Sequence, residues 1–553
     1  MTSLQAKCRV SGTRRSDWTW YAPLWCMAWL AIGCSDANHE GDKELFTYNA
    51  SDGVRSLDPG KAMDLESIWV VDQLYEGLLE LDGDLNLRGA LAEEWRVSDD
   101  GLSHAFKLRS GAVFHNGAPV TADDVAASFK RLLDPSAALP GRWVLDALKA
   151  DGGIEVAAAD SIVLHLSQPS PVFGALLATP QASILSGGGW KGQPDTEDLG
   201  SGPFTLKGWI PETAMVLHRF PRYWMKDDTG AALPIIEGVR IEFNREPGAE
   251  FLGFKQGKYD FVSALDPAWA RAMRDDRGDW KPEWEGRVNE YRVPYLKTDY
   301  IGILMDPVAL ERGGFQLPDP RVRKAMSLAL DREALIRELR AGEAAPAEGF
   351  VPPGMPGFGS ALRRAHPDLN HDPERARQWL SELGIGPEPP LKRMEGLVLG
   401  TKPGMADLAA ALQYIWSQFG IDIEIDIAPS AMDAERVAKS QVPLFRKSWL
   451  ADYPDAENFL GLFHPDRWCP AGPNYTHFER DVVTQLLDSA MLLPASAKRT
   501  DLLRQAEFQV LEEMPVIPLW HDEVVHIVSS RWTDWTVTPT NRLDLRRVRR
   551  AKE

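Results

Sequence analysis

Three side chains with different chemistry stand close together towards the C-terminus of the chain: Trp449, Asp452 and Tyr453. They bring an apolar indole, a fixed negative charge and a phenol into one short segment, and Pro454 favours a turn there. The apolar run 442–445 precedes them and predicts a buried strand. Because loops that follow strands often carry recognition residues, this segment is a candidate binding site. The alternative is an ordinary surface turn in which Trp449 belongs to the core.

The residues just upstream predict how such a loop is positioned. Residues 396–400 predict a short strand, 405–419 a helix that ends at Gly420, and 421–427 a strand with strict alternation of apolar and polar side chains. A strand, a helix and a strand in this order predict a crossover and a parallel sheet. Ligands of such sheets bind beyond the carboxyl ends of the strands. The loop after 442–445 lies where that rule places a site.

The residue types in 91–133 indicate structural rather than catalytic roles. Asp100 and Gly101 predict a tight turn between two strands. Thr121 with Asp124 three residues later has the spacing of a helix capping box. We therefore interpret Asp123 and Asp124 as charges at a helix N-terminus rather than as a catalytic pair of carboxylates.

Three segments resemble one known family. The pattern W-x-x-D-Y-P-D-x-x-N-F-L at 449–460 resembles a segment of the family 5 extracellular solute-binding proteins, as do residues 91–133 and 321–332. These proteins are the oligopeptide, dipeptide and nickel receptors of bacterial ABC importers. The resemblance implies an α/β protein with the two-lobed fold of periplasmic binding proteins. We expect the large three-domain variant of type II, with mixed sheets and a hinge.

The same resemblance implies domain boundaries. Lobe I would be assembled from 41–83, 199–296 and 511–553, and an accessory domain at 84–198 would pack on it. Lobe II would comprise 297–510. Closure of the two lobes around a ligand is expected, as in other periplasmic binding proteins.

The resemblance also assigns roles at the site. In peptide-binding members the aspartate of the motif holds the α-ammonium of the bound peptide, a role that falls to Asp452, with Trp449 and Tyr453 beside it. An arginine three residues before the tryptophan contributes to the carboxylate site in oligopeptide-binding members, and Arg446 has that position. The open alternative for Arg446 is a solvated side chain beside Lys447.

A second segment is implied on the opposite wall of the site. In the oligopeptide-binding branch, the backbone between a Leu-Asp-Pro turn and the first helix faces the peptide. The matching positions here are Met63, Asp64 and Leu65.

The N-terminal sequence has the features of a secretory signal, so we predict that the protein is exported. Residues 1–33 carry four basic side chains before an apolar run of about 15 residues, which is short for a membrane-spanning helix of roughly 20. The sequence Ala31-Ile32-Gly33-Cys34 resembles a bacterial lipobox. We therefore expect 1–33 to be a signal peptide and Cys34 to be lipidated, so that the protein is anchored to a membrane in the periplasm or at the cell surface.

Charge and cysteine content limit the partners. The formal net charge of −19 disfavours nucleic acid as a partner. Three of the four cysteines lie at or before Cys34, so Cys469 has no partner for an internal disulfide and is interpreted as a small buried side chain. We expect a monomer.

The function that follows from the resemblance is that of a substrate-binding lipoprotein. It would capture di- or oligopeptides in a cleft between two lobes and deliver them to the permease of an ABC importer. A receptor for another small solute, such as an opine, a sugar or a chelated metal, stays open, as does a secreted hydrolase on the same scaffold. The sequence contains no H-E-x-x-H and no G-x-S-x-G, so we predict no catalytic residue, no bound metal and no cofactor.

Overall fold

The computed structural model describes residues 45–552 except 191–199, 247, 265–266, 276, 316–317, 341 and 359–365. The predicted signal peptide and Cys34 lie outside the described residues, so both stay predictions.

Strands are distributed over the whole described chain. They are β1 Phe46–Asn49, β2 Leu79–Leu81, β3 Leu87–Gly89, β4 Ala92–Val97, β5 Ser103–Leu108, β6 Ile154–Ala158, β7 Ser161–His165, β8 Phe204–Ile210, β9 Ala214–Arg219, β10 Gly238–Glu242, β11 Phe261–Ser263, β12 Val288–Ile303, β13 Ala344–Pro346, β14 Met394–Thr401, β15 Ile421–Ile427, β16 Leu444–Leu450, β17 Val516–Ser529, β18 Trp532–Thr533 and β19 Arg549–Arg550.

Helices are concentrated in the C-terminal half of the described chain. They are α1 Leu65–Leu74, α2 Ala122–Leu133, α3 Phe173–Leu176, α4 Ala249–Lys255, α5 Pro267–Met273, α6 Pro307–Gly313, α7 Pro320–Leu328, α8 Arg332–Arg340, α9 Pro373–Glu382, α10 Ala406–Ser417, α11 Ser430–Ala438, α12 Glu457–Leu460, α13 Asp481–Met491 and α14 Ala497–Glu513.

One mixed sheet of eleven strands organises the molecule. Its order is β15-β14-β16-β12-β17-β11-β1-β10-β9-β8, and β13 pairs with β17. We call β11, β1, β10, β9 and β8 the first half of the sheet, and β15, β14 and β16 the second half. Within the first half β1 is parallel to β10 and β11, and within the second half β14 is parallel to β15 and β16. The other pairs of this sheet are antiparallel.

Two long strands join the halves. β12 and β17 are antiparallel partners, and residues 288–294 of β12 lie opposite 523–529 of β17, which also pairs with β11. Further along, residues 297–303 of β12 pair with β16. The fold is thus α/β with a mixed sheet that runs from one half of the molecule to the other.

A smaller unit comprising residues 78–184 has its own antiparallel sheet, in the order β4-β5-β7-β6. Its core includes Phe106, Phe129 and Phe173. Thr121 and Asp124 form the predicted capping box at the start of α2, with the Thr121 side chain accepting from Asp124 N and the Asp124 carboxylate accepting from Thr121 N at 2.9 Å. The capping prediction is confirmed and gives Asp124 a structural role, while Asp123 lies in the first turn of α2.

The crossover predicted at 396–427 is also confirmed. β14, α10 and β15 follow one another, and β14 pairs parallel with β15. Trp416 on α10 is fully buried and donates its indole N–H to the Met326 carbonyl at 2.9 Å. This bond fixes α10 against α7 on one face of the second half.

The opposite face of the second half carries aromatic side chains that include Phe350, Phe445 and Phe459. Phe445 packs over Gly302 in β12, where an added Cβ would lie 2.2 Å from the phenylalanine ring. Only glycine permits this approach of strand and ring.

Candidate functional site

β16 positions the first of the predicted site residues. The sequence predicted a strand that ends at Phe445 and a loop from there, but β16 continues to Leu450. That boundary was wrong because β12 pairs with all of β16, with Thr298 opposite Trp449 and Lys297 opposite Leu450. Trp449 is therefore held on a strand, and the turn begins after it.

The side chain of Asn458 on α12 organises this turn. Its Oδ1 accepts the Trp449 indole N–H at 2.9 Å and the Asp452 backbone N–H at 3.2 Å. Its Nδ2 donates to Asp452 Oδ2 at 3.3 Å. Because Asn458 is 6% exposed, the bonds fix the tryptophan and the aspartate in one arrangement. Asn458 was not predicted as a site residue, although it lies within the quoted motif.

Asp452 itself is exposed and forms no ion pair with any residue that the structure describes. Surrounding protein desolvates the carboxylate and raises the pKa of Asp452, while the hydrogen bond from Asn458 acts in the opposite direction. A desolvated carboxylate without a cation favours a positively charged group from outside the protein.

Tyr453 has a packing role in this structure. It is 7% exposed, and its hydroxyl donates to Glu457 Oε2 at 2.5 Å. Its ring belongs to the core of the 78–184 unit and lies 6.4 Å from the Trp143 ring centroid. A ligand contact of Tyr453 stays a prediction.

Arg446 points into a network of charged side chains. It forms an ion pair with Asp299, which is 1% exposed. Lys297 Nζ is 3.2 Å from Asp299 Oδ2 and also pairs with Asp522, to which Arg340 is bonded at 3.0 Å. The structure thus gives Arg446 a carboxylate partner of its own, and a role at a ligand carboxylate stays a prediction.

The three residues predicted on the opposite wall lie where α1 begins. Asp64 is its N-cap and accepts hydrogen bonds from the Ser67 amide and hydroxyl, both at 3.0 Å. Leu65 packs at the edge of the core of the first half, whereas Met63 is 51% exposed. Met63 is therefore the one of the three whose side chain is largely solvent-accessible.

Two glutamates that lie close enough to influence each other were not predicted. Burial raises the pKa of Glu66, and burial together with the Glu66 charge raises the pKa of Glu250 to about 7. They lie in α1 and α4, on the first half of the sheet. No local sequence pattern indicates their proximity, since about 180 residues separate them.

A cavity of about 460 Å³ lies elsewhere, and Glu80, Asp72, Arg542 and Arg546 are among the residues that line it. Four of its charges are paired with one another, and the Glu76 carboxylate in its wall is hydrogen-bonded. Arg546 bonds Glu80 at 2.8 Å, and Arg542 bonds Asp72 through two nitrogens, at 2.7 and 2.5 Å. We therefore regard this cavity as structural and Asp452 as the candidate site.

Among the described residues, no group of three or more His, Cys, Asp or Glu side chains is arranged to hold a metal ion. In that part of the chain, no helix has the length and apolar character that a membrane crossing requires.

The two-lobed α/β fold is that of a periplasmic binding protein. It resembles the periplasmic murein tripeptide binding protein MppA in its unliganded open form, with a TM-score of 0.75 and 23% identity over 92% of this chain and 98% of MppA. The predicted fold class is confirmed.

The chain belongs to the bacterial extracellular solute-binding proteins, family 5, whose middle region matches residues 86–468. The oligopeptide-binding protein OppA of Bacillus subtilis (strain 168) is 26% identical over 527 residues, which cover 88% of this chain and 90% of OppA. The glutathione-binding protein GsiB of Escherichia coli (strain K12) is 25% identical over 497 residues, with coverage of 88% and 90%. The chain is thus a solute-binding protein of the ABC-importer class, and these relatives are binding proteins rather than enzymes.

Proposed function

We propose that this protein is a peptide receptor of an ABC importer and that Asp452 binds the α-ammonium of the peptide. The observation that supports this most directly is the unpaired carboxylate of Asp452, held in place by Asn458. A peptide of any sequence presents a charged amine, so a receptor of broad specificity can fix that group and leave the side chains in roomy pockets.

Asp452 differs from the neighbouring carboxylates in its ion pairing. Asp455 is bonded by Arg499 at 2.6 and 2.9 Å, and Glu457 is bonded by Arg467 at 2.7 Å. Three acidic side chains thus lie in one turn, and Asp452 is the one without a basic partner among the described residues. Evenly distributed surface charge does not produce this pattern, whereas a site for an external cation does.

OppA and GsiB give the proposal its ligand class. OppA binds oligopeptides and GsiB binds glutathione, as their names state. Both ligands are peptides or peptide-like, and both present an α-ammonium. We assign this chain the same class and Trp449 the apolar wall beside the amine.

The experiment is calorimetry with Asp452→Asn. Loss of one partner from a desolvated charge pair costs about 2 to 5 kcal/mol, so peptide affinity should fall by about 30-fold or more. Acetylation of the peptide's α-amine should weaken its binding to the unsubstituted protein by a comparable factor. Asp466→Asn is the matched control, because Asp466 is an acidic side chain at 89% exposure. Equal affinities for free and acetylated peptide would instead favour a solute without an amine.

Closure of the lobes is the second part of the proposal. We infer that β12 and β17 form the hinge, since they connect the two halves of the sheet. A saturating peptide should reduce the radius of gyration in small-angle scattering. An unchanged radius at saturation would contradict closure.

The predicted lipid anchor is the third part. We propose that Cys34 attaches the protein to a membrane, on the support of the lipobox-like sequence before it. The substitution Cys34→Ser should move the protein from the membrane fraction to the soluble fraction. A distribution unaffected by the substitution would exclude this anchor.

A further inference from the structure

The thiol of Cys469 lies among polar side chains from other segments of the chain. Its Sγ is 3.2 Å from His477 Nε2 and 3.6 Å from Ser440 Oγ. On the other side of the imidazole, His477 Nδ1 is 3.3 Å from Asp306 Oδ2. Cys469 is 5% exposed, as the sequence led us to expect, but polar groups contact its sulfur. A nucleophile, an imidazole and a carboxylate in this order form an arrangement in which the imidazole can assist the nucleophile.

The contacts of His477 favour its positively charged form. Nδ1 faces the Asp306 carboxylate, and Nε2 is also 3.1 Å from the Cys469 carbonyl oxygen. Both oxygens are acceptors, so only an imidazolium, which carries a proton on each nitrogen, donates to both. The Trp468 ring stacks on the imidazole with the ring centroids 4.7 Å apart, and an aromatic face stabilises a cation. Burial lowers the pKa of His477, but the contacts with Cys469 and Asp306 outweigh burial and raise that pKa above its ordinary value.

Two residues around the sulfur have an unusual backbone conformation. The angle φ is +51° at His477 and +54° at Ser440, and both values lie in the left-handed region. Neither residue is glycine, so each conformation costs free energy that the surrounding structure has to offset. At His477 the loop is held by Asn474, a fully buried side chain whose Nδ2 donates to the Phe478 carbonyl at 3.0 Å. The loop thus keeps the imidazole against the sulfur.

A second cation lies near the thiol. Burial lowers the pKa of Lys447, whereas Asp433 and the negative charge that Cys469 carries when ionised act in the opposite direction. An imidazolium in contact with a sulfur and an ammonium group nearby stabilise negative charge that develops on that sulfur. The surroundings of Cys469 are therefore those of a reactive thiol rather than of an inert core cysteine.

The enclosure of the sulfur limits the size of a reactant. Pro470 and Gln441, which follow Cys469 and Ser440 in the chain, are exposed, so the cluster lies just beneath the surface. Because the thiol itself is 5% exposed, bulky disulfides and macromolecules do not fit against it. Hydrogen peroxide is close to water in size and oxidises reactive thiols to sulfenic acid. Small peroxides are therefore the class of oxidant that this site favours.

We propose that Cys469 is a modification site at which a small peroxide oxidises the thiol to a sulfenic acid, with His477 as the group that holds and returns the proton. The sulfur, its proton held on His477 Nε2, attacks one peroxide oxygen. An S–O bond forms, the O–O bond breaks, and the bonding electron pair leaves with the other oxygen. His477 gives its proton to that oxygen, which leaves as water when the oxidant is hydrogen peroxide. The sulfur is oxidised and the peroxide is reduced.

The product of this reaction is a sulfenic acid rather than a disulfide within the described chain. Among the described residues Cys469 is the only cysteine, so that part of the chain offers no second thiol for a disulfide. A thiol reductant reverses sulfenic acid formation. The proposal does not depend on peptide binding.

Peroxide kinetics on the full-length protein test the proposal. Hydrogen peroxide is added at neutral pH to the reduced protein, either folded or unfolded in urea, and catalase stops the reaction at intervals. The protein is then unfolded in dimedone, which captures sulfenic acid, and mass spectrometry quantifies the label on the peptide that contains Cys469. The comparison of folded with unfolded protein needs no substitution, so it does not rely on a variant that folds.

We expect Cys469 in the folded protein to be oxidised about 10-fold or more faster than in the unfolded protein, because a positioned acid–base group contributes at least this much. A thiol that is only buried reacts more slowly in the folded state than in the unfolded state. Oxidation of the folded protein at an equal or lower rate would therefore overturn the proposal.

The substitution His477→Asn tests the imidazole. Asparagine tolerates the left-handed backbone but cannot hold the proton, so the rate for the folded variant should fall by about 10-fold or more. His464→Asn is the matched control, since His464 bonds Asp488 at 3.2 Å and asparagine can replace its N-cap contact with the Asp466 amide. This control should keep the rate of the unsubstituted protein.

A rate for His477→Asn equal to that of the unsubstituted protein would also overturn the proposal. Circular dichroism of both variants verifies that the fold is retained.

Discussion

The indole N–H of Trp449 donates a hydrogen bond to Oδ1 of Asn458 at 2.9 Å. The same amide side chain bonds the backbone and the carboxylate of Asp452. One buried side chain therefore sets the relative position of the proposed amine anchor and its apolar wall.

The first prediction follows from this bond. Asn458→Ala should lower the free energy of unfolding by about 1 to 3 kcal/mol, because buried donors lose their partner. Peptide affinity should fall by about 10-fold, since Asp452 is no longer oriented. Asn86→Ala, at an exposed position whose side-chain amide donates to Asp82 Oδ2 at 3.4 Å, should change neither quantity. Denaturation and calorimetry measure the two effects, and an unaltered affinity would show that Asn458 does not orient the site.

The second prediction concerns the pH dependence of binding. Only ionised Asp452 attracts an ammonium group, and desolvation by the surrounding protein raises the pKa of Asp452. Affinity should therefore fall as the pH decreases, and the fall should begin at a higher pH than for an ordinary aspartate. At high pH the affinity should fall again, because the peptide amine loses its proton near pH 8. Calorimetry from pH 4 to pH 9 should show the fall in affinity at low pH for the unsubstituted protein but not for Asp452→Asn. If the variant retains this fall, another group is responsible for it.

The third prediction concerns stability and Glu507. This buried carboxylate accepts the amides of Phe350 and Val351 at 2.7 and 2.8 Å, and burial raises the pKa of Glu507 to about 7 from an ordinary value near 4.5. The folded state binds the Glu507 proton more tightly than the unfolded state does. The resulting contribution to the free energy of unfolding is therefore fully present below about pH 4.5 and is lost as the pH rises through about 7.

Glu507→Gln keeps an acceptor for both amides and cannot ionise. Relative to the unsubstituted protein, its free energy of unfolding should increase from pH 5 to pH 8, by up to about 3 kcal/mol. Urea denaturation at both pH values measures the difference. Glu374→Gln, at a side chain 88% exposed, provides the control. A difference between Glu507→Gln and the unsubstituted protein that does not vary with pH would contradict the assignment.

The fourth prediction concerns the contact between Gly302 in β12 and Phe445 in β16. Gly302→Ala places a methyl group 2.2 Å from the Phe445 ring, so the ring or the strand has to move. Overpacking of this kind costs about 1 to 3 kcal/mol. Gly404→Ala meets no atom within 4 Å and should be nearly neutral. Equal stability of the two variants would show that the ring yields without cost.

Local patterns in the sequence predicted local structure well. The capping box at Thr121 and the crossover from β14 to β15 depend on residues close in the chain, and both are confirmed. The family resemblance gave the fold class in the same way, since the motif at 449–460 and the segment 91–133 are contiguous.

Contacts between distant segments were not predictable. The length of β16 depends on pairing with β12, which precedes it by about 150 residues. For the same reason the Asp299 partner of Arg446 and the packing of Tyr453 against Trp143 left no local signal.

The central position of β17 has a consequence for synthesis. This strand spans residues 516–529 and lies between β12 and β11, so the middle of the sheet is completed by the strand of this sheet that is synthesised last. Until then β12 and β11 present unpaired backbone groups, which are templates for wrong association. A nascent chain that stops before residue 516 therefore contains both halves of the sheet but only one of the two long strands that join them, and we expect such fragments to aggregate rather than to fold as a separate lobe.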